Sequence, residues 1–420
     1  MSDAHHAEYT FSAALKFDRD VDMKRVKVIT IALAVMFVLV AVSAQPVAAA
    51  SRSDSLRSYI SGRYDAVRGG YSPPSDSVVR VDATYGAVLA QYELGSLSTR
   101  PPPVNLTKVL DSIVLRQWLT NQLDSDLDQK RYGGFSEYLV GPVTMSMTLK
   151  GVQAIEMLKE QSDYPGIASV EFDEDALLSY INRSLSEAGG FSSIPGNSPD
   201  IVSTYQALYI LDYLDTTFGL NIDEFWNETA TLEWINNCRV GDAFKLSPIS
   251  DTAGVTATSA GIMALSLLPS NPTISNLQAA INWVLDRQIL EGPDDRFIGG
   301  FEEGVQTDDV NFKTTYNALK FLEFENALGT VNETLVVDFI LNCQVEDGSW
   351  GFVPDATVGT LVYSGQACEL LNMFGNAASI LGSSEDPYSP GGFTLDWRYL
   401  LIGGIVIVAL VIAILSVRRD

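Results

Sequence analysis

One motif limits what this chain can fold into: a glycine-aromatic turn that returns six times. It reads Gly69-Gly70-Tyr71, Gly133-Gly134-Phe135, Gly189-Gly190-Phe191, the eroded Gly241-Asp242-Ala243-Phe244, Gly299-Gly300-Phe301 and Gly348-Ser349-Trp350-Gly351-Phe352. The copies stand roughly 50 to 65 residues apart, a period that signals a repeat architecture. A helix-period segment precedes the turns, as at 110–119, 177–181, 232–235, 279–285 and 336–341, with apolar residues spaced by three and four on one face. A second helical segment follows. It opens with Ala83-Thr84-Tyr85, Ser203-Thr204-Tyr205, Thr314-Thr315-Tyr316 and, more loosely, Thr258-Ser259-Ala260.

A single hairpin of two such helices cannot bury its apolar face, so hairpins must stack. Six of them can curve shut. The expected fold is therefore all-α: an α/α toroid over residues 51–381, with the second helices inside and the first outside. The glycine pairs supply backbone angles closed to other residues and let each turn approach its neighbour. Trp118, Trp234 and Trp283 are expected at equivalent core positions of the outer helices. Cys238 and Cys343 fall at equivalent repeat positions and read, with Cys368, as buried small hydrophobes. An odd number of cysteines gives no disulfide framework, and a bond between any two stays open.

The net charge of −25 repels the phosphate backbone and excludes nucleic acid as a partner. Two uncharged apolar runs flank the repeats. The first, 28–51, follows Lys24, Arg25 and Lys27 and ends in Pro46-Val47-Ala48-Ala49-Ala50, the pattern of a secretory signal. Residues 1–50 are expected to be a signal peptide or signal anchor, with Met23 a second possible start. The second run, 399–417, is long enough to span a bilayer, with Trp397 and Tyr399 at an interface and Arg418-Arg419 behind it. It predicts a transmembrane helix at 397–417, a stalk at 382–396 and a cytoplasmic tail at 418–420. Both ends place the repeats on the extracytoplasmic side of a cell membrane. The acceptor sequons at Asn105, Asn182, Asn227 and Asn332 agree with a glycosylated outer surface.

These turns and helices resemble the prenyltransferase and squalene-cyclase repeat superfamily. They are most similar to β subunits of protein prenyltransferases of the geranylgeranyltransferase type II kind. The segment carrying Cys343-Gln344, Asp347-Gly348 and Trp350-Gly351-Phe352 is the most similar, and the likeness covers about residues 53–381. The resemblance implies a zinc site built from an Asp and a Cys two residues apart, plus a His from a later repeat. Here Asp200 stands at the Asp position and Val202 at that of the Cys. In the fifth repeat Asp309 is followed by Asn311 and Phe312. The His position falls near Tyr363 or Ser364, and the chain's two histidines are His5 and His6. No metal and no cofactor are therefore expected. The cyclase relatives protonate substrate with an Asp-x-Asp-Asp motif. Gln306-Thr307-Asp308-Asp309 lacks its first Asp but keeps Asp308 where the resemblance implies the proton donor.

Asp82, Asp200, Asp251 and Asp309 are all expected just ahead of inner helices, where a carboxylate can cap free backbone N–H groups. Tyr85, Tyr205 and Tyr316 are expected to line the central cavity. The functional expectation is a membrane-anchored binding or scaffold module for an isoprenoid or other lipid, a peptide or a protein. The alternative is a zinc-free transferase or cyclase acting on an isoprenoid, with Asp308, Asp309 or Asp200 as candidate catalytic acids.

Overall fold

A computed structural model describes residues 44–47, 49–123, 130–220, 222, 226–270, 272–305, 307, 309–389 and 392–395. The chain divides into two units. One is Ser51–Tyr388; the other comprises Met1–Ala50 and Ser389–Asp420. Of the second unit, strand β1 (Ala44–Val47) pairs antiparallel with β6 (Gly392–Leu395), Ala44 opposite Leu395. No described helix is long and apolar enough to cross a membrane. The run at 399–417 lies outside the described residues, as does the run starting at Val28 up to residue 43.

The unit Ser51–Tyr388 is mostly helical. Its outer helices are α1 (Arg52–Gly62), α3 (Leu106–Leu123), α5 (Glu174–Ser184), α7 (Glu228–Asn237), α9 (Leu277–Leu285) and α11 (Glu333–Asn342). Between them run the inner helices α2 (Val81–Glu93), α4 (Met145–Lys159), α6 (Ile201–Phe218), α8 (Val255–Ser266), α10 (Phe312–Phe324) and α12 (Leu361–Phe374). A short α13 (Ala377–Ser383) packs on α1 and α12. Each inner helix packs on the next, and α12 packs back on α2, so the inner ring closes. Two glycines make the closing contact. A Cβ on Gly86 would stand 2.2 Å from the Leu361 carbonyl oxygen, and one on Gly365 would stand 2.5 Å from that of Gly86. The α2 and α12 backbones touch there, which no larger residue permits.

The turns show why the motif recurs. Gly133 holds φ at +87°, and a Cβ there would lie 1.8 Å from the Ala176 carbonyl oxygen on the next outer helix. The aromatic that follows is buried in every repeat: Tyr71, Phe135, Phe191, Phe244, Phe301 and Trp350. Its backbone N–H donates to a hydroxyl in the first turn of its inner helix. The acceptors are Thr84, Thr148, Thr204, Thr258, Thr315 and Ser364, at 3.0 to 3.2 Å. A buried N–H left without a partner is costly, so the hydroxyl ties turn to helix in all six repeats. Two turns tighten into two-residue ribbons: β2 (Tyr64–Asp65) with β3 (Gly70–Tyr71), and β4 (Arg239–Val240) with β5 (Ala243–Phe244). The eroded fourth repeat thus keeps the turn.

The seventh residue of α3, α5, α7, α9 and α11 is Ser112, Tyr180, Trp234, Trp283 and Phe339. Four of these, all but Trp283, lie against the second turn residue of the preceding repeat. Trp234 and Trp283 are equivalent, but Trp118 is not. It is 54% exposed, because α3 extends well beyond the shorter outer helices and Trp118 lies in that extension. Its neighbour Gln117 turns inward instead, donating to the Gly133 and Asp173 carbonyls. Cys238 and Cys343 end α7 and α11 at matching positions, and all three cysteines are buried and free. Burial pushes the Cys238 thiol up to about 12.

Candidate functional site

Inner helices start at one mouth of the ring and end at the other. The segments linking each buried aromatic to its inner helix circle the first mouth. They are bound to one another through the helix starts: Val81, Met145, Ile201, Val255 and Phe312 donate their N–H to Glu137, Ser193, Leu246, Glu303 and Phe352 carbonyls of the next repeat, at 2.8 to 2.9 Å.

The residue after the latch hydroxyl differs between repeats: Tyr85, Leu149, Tyr205, Ser259, Tyr316 and Gly365. The three tyrosines come from alternate repeats and meet in the lumen. The Tyr316 hydroxyl donates to Glu369 Oε2 at 2.8 Å, and Tyr85 stands beside Tyr316. Lys320 Nζ sits 2.9 Å from Glu369 Oε1 and 2.8 Å from Glu323 Oε2. Tyr205 stacks edge-on to Tyr209, whose hydroxyl donates to Glu156 Oε2 at 3.2 Å. Burial, reinforced by the charge of Glu369, holds the Tyr85 and Tyr316 hydroxyls well above the ordinary tyrosine value. Burial also raises Tyr205. Burial works against the charge on Lys320, but Glu369 and Glu323 outweigh it and raise its pKa. The centre is thus a polar network in which the Tyr316 hydroxyl and Lys320 both meet Glu369, with Glu323 sharing the lysine. It offers hydrogen-bond donors, and burial raises the pKa of Glu156 beside Tyr209. The sequence pointed to the three tyrosines through their repeat positions, and gave no sign of Glu369 and Lys320 beside them.

Nearer the first mouth, Lys150 makes no hydrogen bond or ion pair with a described residue. Burial lowers its pKa, opposed by Asp82, and Lys313 lies near enough to lower it further. The carboxylates expected here divide. Asp200 caps α6 as expected, accepting from the Ser203 N–H at 2.8 Å and its hydroxyl at 2.7 Å. The others do not cap. Asp82 lies inside the first turn of α2 and meets only the Ala83 N–H. Asp251 precedes the actual cap residue, Gly254, and Asp309 precedes Asn311, whose side chain accepts from Thr314. Asp309 instead holds its own loop, accepting from the Glu303 N–H and the Thr307 hydroxyl. Asp308 and Gln306 fall outside the described residues. The positions that the resemblance assigns to zinc carry no suitable donor set. Asp200 is spent on its cap, Val202 is aliphatic, Ser364 is latched to Trp350, and Tyr363 stacks on Phe312 and Phe352. Among the described residues no three His, Cys, Asp or Glu groups converge to hold a metal ion.

The far mouth, where inner helices end, holds a cavity of about 420 Å³ lined by Tyr92, Glu93, Ser98, Glu160, Gln161, Asn372 and Asn376, among others. Tyr92 donates to Glu160 Oε2 at 2.7 Å, which with burial pushes its hydroxyl up to about 12. Asn372 donates to Glu93 Oε2 at 2.5 Å; burial nevertheless raises the Glu93 pKa. All four sequon asparagines are exposed. Asn105, Asn227 and Asn332 sit at the starts of α3, α7 and α11, where their side-chain oxygens accept the N–H groups of Lys108, Ala230 and Leu335. Asn182 lies near the end of α5.

The prenyltransferase alpha-alpha toroid domain family matches residues 87–297 and 295–361. Among solved structures, Candida albicans protein geranylgeranyltransferase-I complexed with GGPP is similar at 15% identity and a TM-score of 0.54, over 77% of this chain and 91% of that one. The type II terpene cyclase MstE from Scytonema, in its apo form, follows at 11% identity and a TM-score of 0.46, over 78% and 98%. The ent-copalyl diphosphate synthase of Streptomyces platensis has 16% identity and a TM-score of 0.43, over 72% and 51%. No curated protein sequence matches the chain.

Proposed function

The chain belongs to the prenyltransferase alpha-alpha toroid family, and from that premise we propose that it is a binding or scaffold module of that fold, not a zinc prenyltransferase. The observation that carries this reading is the lumen itself. In place of an apolar slot, Tyr85, Tyr205 and Tyr316 meet around the Glu369–Lys320 pair. A polyprenyl chain needs an apolar wall, and displacing this network would leave a charge pair and several hydroxyls unpaired. The GGPP bound by the Candida albicans enzyme makes an isoprenoid the natural rival ligand, and the carboxylates expected as its acids weigh against it. Asp200 is fully engaged as a cap, and Asp309 holds its own loop.

The apolar runs at 28–51 and 399–417 and the four exposed sequons support a module tethered to the cell membrane with its ring on the extracytoplasmic side. The polar lumen weighs against an isoprenoid, and a polypeptide is the ligand class we propose. Native mass spectrometry of the full chain released from membranes tests this. The expected spectrum shows the chain with its glycans and neither zinc nor isoprenoid. A co-purified isoprenoid, or zinc at one ion per chain, would defeat the reading.

A further inference from the structure

The segments that circle the first mouth carry apolar side chains into solvent in every repeat but the third. Ile249 is 89% exposed, Val358 61%, Val305 60% and Leu139 46%, with Val78 and Phe352 little less so. Isolated exposed apolar residues need no explanation, but a set gathered on one rim marks an interaction surface. The same rim is negative. Asp251 and Asp309 are exposed and make no salt bridge with a described residue, and exposed Asp355 faces only Arg296, which is already paired with Asp294. The rim's own cations are occupied: Arg80 is held by Asp76 and Glu137, both at 2.5 Å, and Lys245 donates to the Pro248 carbonyl at 2.7 Å. Lys150 is half-buried, and Lys313 near it is exposed at the start of α10.

We propose that this loop face docks a polypeptide partner through a segment that is both apolar and basic. The inference rests on the binding-module reading and specifies its surface. Charge decides between occupants. Anionic lipid headgroups would be repelled, and a second copy set face to face would oppose acid to acid. A segment with Lys or Arg between apolar anchors satisfies both features of the rim.

The test uses the full chain in nanodiscs of neutral lipid, with empty nanodiscs as blank. The probes are an amphipathic leucine–lysine peptide and its leucine–glutamate counterpart. The lysine peptide should bind and slow amide exchange in 136–144, 245–254, 302–311 and 351–360. Ile249→Asp with Val358→Asp should weaken it about tenfold. Asp251→Asn with Asp355→Asn should weaken it about threefold and flatten its salt dependence. Three results would overturn the proposal. One is equal binding of the glutamate peptide. The second is exchange protection at the outer-helix starts or the far-mouth cavity instead. The third is that the double Asp variant abolishes self-association, or binding to phosphatidylserine vesicles, while sparing the peptide. Each leaves the module reading itself intact, since that falls only on bound zinc or isoprenoid.

Discussion

The wall of the ring and its lumen are made by the same six repeats, yet they differ in kind. In the wall the repeats agree: each buries an aromatic and holds its N–H with a hydroxyl, and five of the six set a turn glycine against the next outer helix, Gly241 alone meeting open space. In the lumen, one residue further along, the six repeats place Tyr85, Leu149, Tyr205, Ser259, Tyr316 and Gly365. Stability requires the wall to be uniform, because each hairpin buries itself only against the next. The lumen carries no such requirement, so its residues are free to specialise. Here they line the centre with a polar network.

That contrast can be broken at its strongest point first. Gly86→Ala forces a Cβ into the Leu361 backbone. It should cost about 5 kcal/mol, or spring the ring open, since rigid backbone cannot yield. Chemical denaturation measures it, with Gly95→Ala, which meets open space at φ +66°, as the control near 1 kcal/mol. Phe301→Ala should cost about 4 kcal/mol, the loss of a fully buried aromatic plus its cavity. Thr204→Val removes the acceptor of a buried N–H and should cost about 2 kcal/mol. Thr84→Val and Thr315→Val should match it within about 0.5 kcal/mol if the wall is uniform. Lumen substitutions should not match one another. Tyr316→Phe deprives Glu369 of a donor and should cost about 1 kcal/mol. Tyr205→Phe removes no donor to Glu369 and should cost less in the same melts.

The smallest effect is one of pH. Burial raises the Glu93 pKa, so the folded state holds that proton more tightly than the unfolded chain does. Its contribution to stability is full below the ordinary value of 4.5 and is lost as pH rises through the raised value. Glu93→Gln should therefore gain on the native protein as pH climbs from acid to neutral. Unfolding curves at a series of pH values would show no such trend if Glu93 were freely solvated.

How much of this could be read from the sequence follows the same division. The ring was legible because Gly69-Gly70-Tyr71 and its copies recur, and recurrence is visible without coordinates. The latch left a signal too, in the threonine shared by Ala83-Thr84-Tyr85 and Thr314-Thr315-Tyr316, although its acceptor role needed the turn beside it. Trp118 misled because a matching residue type in a longer helix is not a matching position. The capping expected of Asp82, Asp251 and Asp309 failed by two or three residues, a precision that loop geometry decides. Glu369 and Lys320 were invisible, since charges on a helix look like a solvated face until a ring closes around them.

The central claim is that the lumen's tyrosines are tied into a polar network with Glu369 and Lys320 that keeps their hydroxyls protonated. Spectrophotometric titration of tyrosine ionisation, comparing the native chain with the Tyr85→Phe, Tyr205→Phe, Tyr316→Phe variant, tests it directly. The two should ionise identically around pH 10, the ordinary tyrosine value, with the three lumen hydroxyls contributing only once the ring unfolds. If the variant instead loses three tyrosines' worth of ionisation near pH 10, the lumen is open to solvent and the account fails.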